Sequence, residues 1–247
     1  MGKQVGTLKM TGSFAGAVGY IDKQGRVQMR SKAEKVTDAN TVKQREVRTR
    51  FLAVSTLAAG LKNVLVGLTP QAKAKKITLR NTFVKYNYAA TESNVQSDGD
   101  IDAITDFTMV RLSMGPVANP TFGTPSTTNP LQIDVAVTNA DADPDANADN
   151  AYMYLVAYHP SKNKAVYTKQ ALEDVTISLP VPSSWNGDIV KVYGFVQCFD
   201  SATARNEYDS IFNDPSMRGG EAQNTLRQLQ SAAQYSESHY IGEAEIS

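Results

Sequence analysis

AYMYLVAY (151–158) and DIVKVYGFVQCF (188–199) are the stretches whose reading decides the fold. Both are short apolar runs rich in β-branched and aromatic residues, and both are bounded by turn formers, His159-Pro160 after the first and Asn186-Gly187 before the second. Working outward, TDFTMVRLS (105–113), LQIDVAVT (131–138), KAVYT (164–168), DVTISLPV (174–181) and HYIGEAEI (239–246) have the same strand character and a period of two. Clusters of proline, asparagine, aspartate and glycine separate them. Seven such runs in roughly 140 residues predict an antiparallel sandwich of immunoglobulin-like type. Between the last two, residues 201–235 form a long polar insertion in which EAQNTLRQLQSAA (221–233) has helical composition.

Upstream the period changes to that of a helix. Thr41-Val42-Lys43-Gln44 fits a capping box, and Phe51, Val54, Leu57, Leu61, Val64 and Leu68 recur at steps of three and four on one face. Gly67 ends this segment, and Thr69-Pro70 starts a second helix expected to run to about Tyr88, with Ala72, Leu79, Phe83 and Tyr86 turned toward the first. Further upstream, Gly12, Gly16, Gly19 and Gly25 punctuate an extended segment, and Asp22 to Gly25 is a turn signal between YI and RVQMR. The expected organisation is a basic arm at 1–38, a helical hairpin at 39–90 and a sandwich domain at 91–247 with its insertion at 201–235. The fold class is α+β, mainly β.

Charge divides at the same place. The chain of 247 residues carries 25 basic and 25 acidic side chains. Residues 1–90 hold 17 basic and 4 acidic ones, a net +13, and the remainder is net −13. Such a dipole suits association of unlike ends, or contact with nucleic acid. Lys43, Arg45, Arg48 and Arg50 crowd the first turns of a helix, where the macrodipole disfavours cations, so a use for them is expected. The interface candidates are Phe14, Tyr20, Arg26, Arg30, Lys32, Lys35, Arg45, Arg48 and Arg50.

Several chemistries are excluded as the main activity. One cysteine, Cys198, allows no internal disulfide and reads as a core thiol, and two histidines are too few for most zinc sites. The Gly12/Gly16/Gly19 spacing is not a dinucleotide fingerprint. Asp141, Asp143, Asp145, Asn147 and Asp149 alternate like a calcium loop, but Pro144 interrupts, Ala146 stands where glycine is required and Tyr152 where the bidentate glutamate belongs. A solvated acidic loop is expected there. No Gly-x-Ser-x-Gly elbow accompanies His159 or His239, so no enzyme and no cofactor is expected. The opening MGKQVGTLKMTG lacks an apolar run after its lysines, and the longest apolar stretch, 51–68, is broken by Lys62-Asn63, so neither a signal peptide nor a membrane span is expected.

The chain resembles a family of uncharacterised proteins encoded by Bacteroidetes and by their phages and prophages. The resemblance is carried by Gly12-Ser13-Phe14-Ala15-Gly16-Ala17-Val18-Gly19, Arg30-Ser31, Thr41 through Arg50, Phe83 through Tyr88, Trp185-Asn186-Gly187 before IVKVYGFV, and Ser238-His239-Tyr240-Ile241-Gly242. It implies a phage setting rather than a reaction. The expected function is a non-enzymatic structural protein of a virion, capsid-associated or in a neck ring or tail, assembled in the bacterial cytoplasm. Its expected partners are further copies of itself and other virion proteins, with possible sequence-blind contact to packaged DNA. The alternatives are a surface or prophage-encoded binding module and a DNA-contacting accessory protein.

Overall fold

A computed structural model describes residues 12–14, 16–21, 25–31, 38–214 and 220–247. In chain order the strands and helices are β1 (Gly12–Phe14), β2 (Ala17–Ile21), β3 (Val27–Ser31), α1 (Val42–Gly60), α2 (Thr69–Lys75), α3 (Leu79–Asn87), β4 (Thr91–Val95), β5 (Ile101–Thr105), β6 (Thr121–Phe122), β7 (Gln132–Thr138), β8 (Ala151–His159), β9 (Lys164–Ala171), β10 (Thr176–Pro180), β11 (Ile189–Cys198), α4 (Ala202–Asn213), α5 (Gly220–Ala232), β12 (Gln234–Tyr235) and β13 (His239–Glu245). The class is α+β with strands dominant, and the sheets are open and antiparallel. The chain divides into two compact units at Val42 and Lys43. In the first, β1, β2 and β3 form a sheet in that order, with Ile21 opposite Val27 and Gly19 opposite Met29, as the turn signal at 22–25 predicted. Its turn residues 22–24 lie outside the described residues.

The second unit is built around β8 and β11, which pair along most of their length with Tyr154 opposite Phe195. β9 extends the sheet beyond β8, while β12 and β13 line the other edge of β11. Every residue of β8 is buried. Burial on both faces requires two covering layers, and the alternation of the strand divides its residues between them. Ala151, Met153, Leu155 and Ala157 join Val190, Val192 and Val196 of β11 in an aliphatic cluster with Ile133, Val135, Ile177 and Leu179 of the second sheet, ordered β10-β7-β6. Tyr152, Tyr154, Val156 and Tyr158 join Tyr193 and Phe195 under the helices, against Val54, Leu57, Leu61, Leu65 and Phe83. The expected two-sheet packing is present, with helices as a third layer that the sequence reading left as a separate domain. The boundary drawn at residue 90 therefore separates segments that share one hydrophobic cluster.

Gly194 belongs to the aliphatic side of β11, and a Cβ there would lie 2.7 Å from the Phe122 ring of β6, so glycine makes room for that ring. On the helical side a buried polar chain crosses four elements. The Tyr154 hydroxyl donates to Gln197 Oε1 (2.8 Å), Gln197 Nε2 donates to the Tyr235 hydroxyl (3.0 Å), and that hydroxyl donates to the Gln230 carbonyl (3.1 Å).

Three expected elements differ. The first helix ends at Gly60 rather than at Gly67, and Leu65–Leu68 form a separate 3-10 turn. The second helix is broken into α2 and α3, because Lys76 adopts a left-handed conformation (φ 53°) and the Thr78 hydroxyl accepts the Asn81 N–H as a new N-cap. The run TDFTMVRLS is not a strand. The Asp106 carboxylate accepts the Thr108 N–H and starts a single 3-10 turn at Phe107–Met109. Downstream, the Arg111 and Leu112 amides bond to Asn87 Oδ1 and Ser238 Oγ instead of to a neighbouring strand. The insertion at 201–235 holds α4, capped by the Ser201 hydroxyl on the Ala204 N–H, and α5.

Candidate docking surface

Helix α1 carries a stripe at helical spacing, Val47, Phe51, Val54 and Ala58, which Leu61 continues just past its end. Val54, Ala58 and Leu61 are essentially inaccessible, whereas Val47 is 52% and Phe51 55% exposed. A stripe of one chemistry is thus packed over its C-terminal part and open over its N-terminal part. The anchor of the packed part is Asn163 in the β8–β9 turn. Its side-chain amide donates to the Thr56 carbonyl (2.9 Å), and its Oδ1 accepts the Tyr158 hydroxyl (2.9 Å). A Cβ at Gly60 would lie 2.0 Å from that Oδ1, so the last residue of α1 must be bare for the helix to seat.

On another side of α1, Leu52 is 67% exposed. It borders a cleft of ≈ 390 Å³ with Ala53, Thr56, Ala103, Phe107 and Tyr158 in its walls. Large apolar side chains exposed on one helix, as Val47, Phe51 and Leu52 are on α1, mark interaction sites more often than single exposed ones do.

Two of the arginines expected to face a partner are turned inward. Arg50 donates to the carbonyls of Thr91 (2.7 Å) and Tyr88 (3.1 Å) and lies 4.3 Å from the centroid of the Tyr88 ring. Arg45 donates to the Gly99 carbonyl (3.0 Å) in the β4–β5 turn. Both tie the N-terminal half of α1 to the β4–β5 hairpin, which accounts for cations that the helix dipole alone disfavours. Arg48 is exposed on the same half of the helix. Tyr20, Arg26 and Arg30 are exposed in the arm, while the Phe14 side chain, Lys32 and Lys35 lie outside the described residues. Phe51 was read from its spacing as a core residue, and the structure places it at the surface. Val47 and Leu52 were missed, although the extension of the stripe to Val47 was legible in the spacing.

The remaining chemical candidates are engaged in structure. In the acidic loop, Asp143 accepts the Ala118 and Asp145 amides, and Asn147 accepts that of Asp149. Among the described residues no group of histidine, cysteine and carboxylate side chains is arranged to hold a metal. The buried Cys198 thiol is pushed up to about 11, first by desolvation and then by Asp143, Asp145 and Asp200. His159 Nδ1 accepts the Lys162 N–H (3.3 Å), and Nε2 lies 2.9 Å from the Asp188 carboxylate. That ring packs edge-on to Trp185 at 5.2 Å, so the pair pins a turn to the start of β11.

A family model described as a family of unknown function, DUF6266, matches residues 9–211. No curated protein matches the chain.

Proposed function

The chain belongs to that family of unknown function, and from this premise we propose that it is a non-enzymatic structural protein that assembles with further copies of itself through its N-terminal half. The observation that carries the reading is the α1 stripe, buried at Val54, Ala58 and Leu61 yet open at Val47 and Phe51. Leaving such area in water forgoes about 25 cal/mol for each Å² that a neighbour would cover. The arm supports the same reading. By its register, Ile21, Val27 and Met29 share one face of the β1–β2–β3 sheet, and Ile21 and Met29 are 44% and 52% exposed. Three-stranded sheets need a covered apolar face for stability, which a neighbouring subunit supplies. The +13/−13 division of charge favours contact between unlike ends of successive copies.

The resemblance to phage and prophage proteins supports the reading of a virion component, in the capsid, neck ring or tail. Sedimentation velocity over a dilution series tests the assembly. The wild-type chain sediments as concentration-dependent oligomers, and Val47→Glu/Phe51→Glu sediments as a folded monomer whose circular dichroism spectrum is that of wild type and whose melting temperature does not depend on protein concentration. A wild-type protein that stays monomeric at every concentration overturns the proposal, as does a double variant that associates like wild type.

A further inference from the structure

A second surface of the same unit has the opposite chemistry. From residue 47 to residue 91 the chain contains no aspartate or glutamate. Within this stretch α2 and α3 are joined by the three residues Lys76-Ile77-Thr78, a helix–turn–helix connection. The turn is a Schellman closure in which the Ile77 N–H bonds to the Ala72 carbonyl and the Lys76 N–H to the Lys73 carbonyl, both at 3.1 Å. Glycine is the usual residue in its left-handed position, because a side chain there costs roughly 1–2 kcal/mol. Here that position holds Lys76, an exposed cation.

Lys73, Lys75, Lys76, Arg80 and Lys85 are all exposed on this unit, and none of them forms an ion pair with a described carboxylate. The Lys75 ammonium of α2 lies 5.8 Å from the centroid of the Tyr86 ring, which follows Lys85 on α3, and Lys75 lowers the pKa of Lys85. Behind the two helices, a cleft of ≈ 580 Å³ against α5 has Lys73 and Arg227 in its lining, so the basic surface continues onto the insertion.

What the surface lacks decides between a nucleic acid and an acidic protein. No large apolar side chain of α2, the turn or α3 is exposed, whereas the α1 surface presents Val47, Phe51 and Leu52. The buried centre of a protein interface is apolar, and a phosphate backbone needs only charge. We propose that α2, its turn and α3 form a docking surface for the phosphate backbone of double-stranded nucleic acid, independent of sequence. This goes beyond the assembly role, because it uses other residues of the same unit.

The test is binding of the full-length protein to a fluorescent DNA duplex of arbitrary sequence, followed by anisotropy across a salt series. Lys73 is turned to Ser231 of α5 (3.0 Å), so with the four cations Lys75, Lys76, Arg80 and Lys85 engaged, log K falls against log salt with a slope of about −3.6. Lys75→Gln/Arg80→Gln/Lys85→Gln, all at exposed positions, flattens that slope by about 2.7 at unchanged melting temperature. Amide hydrogen exchange on the wild-type complex shows protection at residues 73–85, a readout that needs no variant. Absence of binding at low salt, a slope indifferent to the triple substitution, protection confined to other segments, or equal competition by polyglutamate or single-stranded DNA each overturns the proposal.

Discussion

Replacing Gln197 by leucine removes the centre of the buried chain that joins β8, β11, β12 and α5. Gln197 is fully buried, and Tyr154 and Tyr235 are 2% and 1% exposed, so water cannot stand in for the lost amide. In Gln197→Leu the Tyr154 hydroxyl loses its acceptor at 2.8 Å, and the Tyr235 hydroxyl loses its donor while keeping its own bond to the Gln230 carbonyl. One orphaned buried hydroxyl costs about 1–3 kcal/mol, and Tyr235 remains satisfied as a donor, so a loss of about 2 kcal/mol is expected. For a chain of this size that lowers the melting temperature by about 4–8 °C. Tyr154→Phe alone strands Gln197 Oε1 and is destabilising in its own right. Its ring keeps the stack on Phe195 at 4.8 Å, so packing changes little. Tyr154→Phe/Gln197→Leu removes both partners of the first bond, and its loss is smaller than the two single losses combined. Urea and thermal unfolding of the four proteins complete a double-mutant cycle. Additive losses, or a Gln197→Leu protein as stable as wild type, refute the reasoning.

Two pH dependences follow from other sites. Burial moves the Cys198 thiol from the ordinary 9.0 to about 11, so its thiolate fraction at neutral pH, and with it the alkylation rate of the folded protein, is about a hundredfold below that of the unfolded chain and climbs only toward pH 11; iodoacetamide labelling followed by mass spectrometry checks this, and rapid labelling at pH 7 contradicts it. The Asp188 carboxyl is held below its ordinary value, first by the hydrogen bond from His159 and then by Lys162. A depressed carboxylate adds stability that is present above the unfolded pKa of 3.8 and is lost as the pH falls through the folded value, so Asp188→Asn shows a shallower loss of stability below pH 4 in acid titrations followed by circular dichroism. An unchanged acid profile counts against the His159–Asp188–Lys162 cluster.

The strands of the central layers were legible because their apolar runs are short and bounded by turn residues, and because β-branched and aromatic side chains repeat through β7, β8, β10 and β11. The third layer was less visible. AYMYLVAY has no polar position, and this is the mark of a strand covered on both sides, but the identity of the second cover depends on contacts with α1 and α3 that are remote in sequence. The break between α2 and α3 had one local signal, Thr78 three residues before Asn81, while the left-handed Lys76 has none in its side chain. The alternation of Val110, Leu112 and their neighbours is a true record of burial. It failed to mean a strand because the partners are the side chains of Asn87 and Ser238. Arg45 and Arg50 show the same limit in the surface. Their charge was plain in the sequence, but the carbonyls of Gly99, Thr91 and Tyr88 that consume it belong to the β4–β5 hairpin and the turn just before it, 38 to 54 residues away.

The central claim is that the open end of the α1 stripe is covered by another copy of the chain, and photocrosslinking tests it most directly. With Phe51 replaced by p-benzoylphenylalanine, irradiation of the assembled protein should give a covalent dimer, and mass spectrometry should map the bond from position 51 of one copy to a residue of another. Irradiation that yields only solvent-quenched or intrachain products, at concentrations where the protein is oligomeric, would contradict the account.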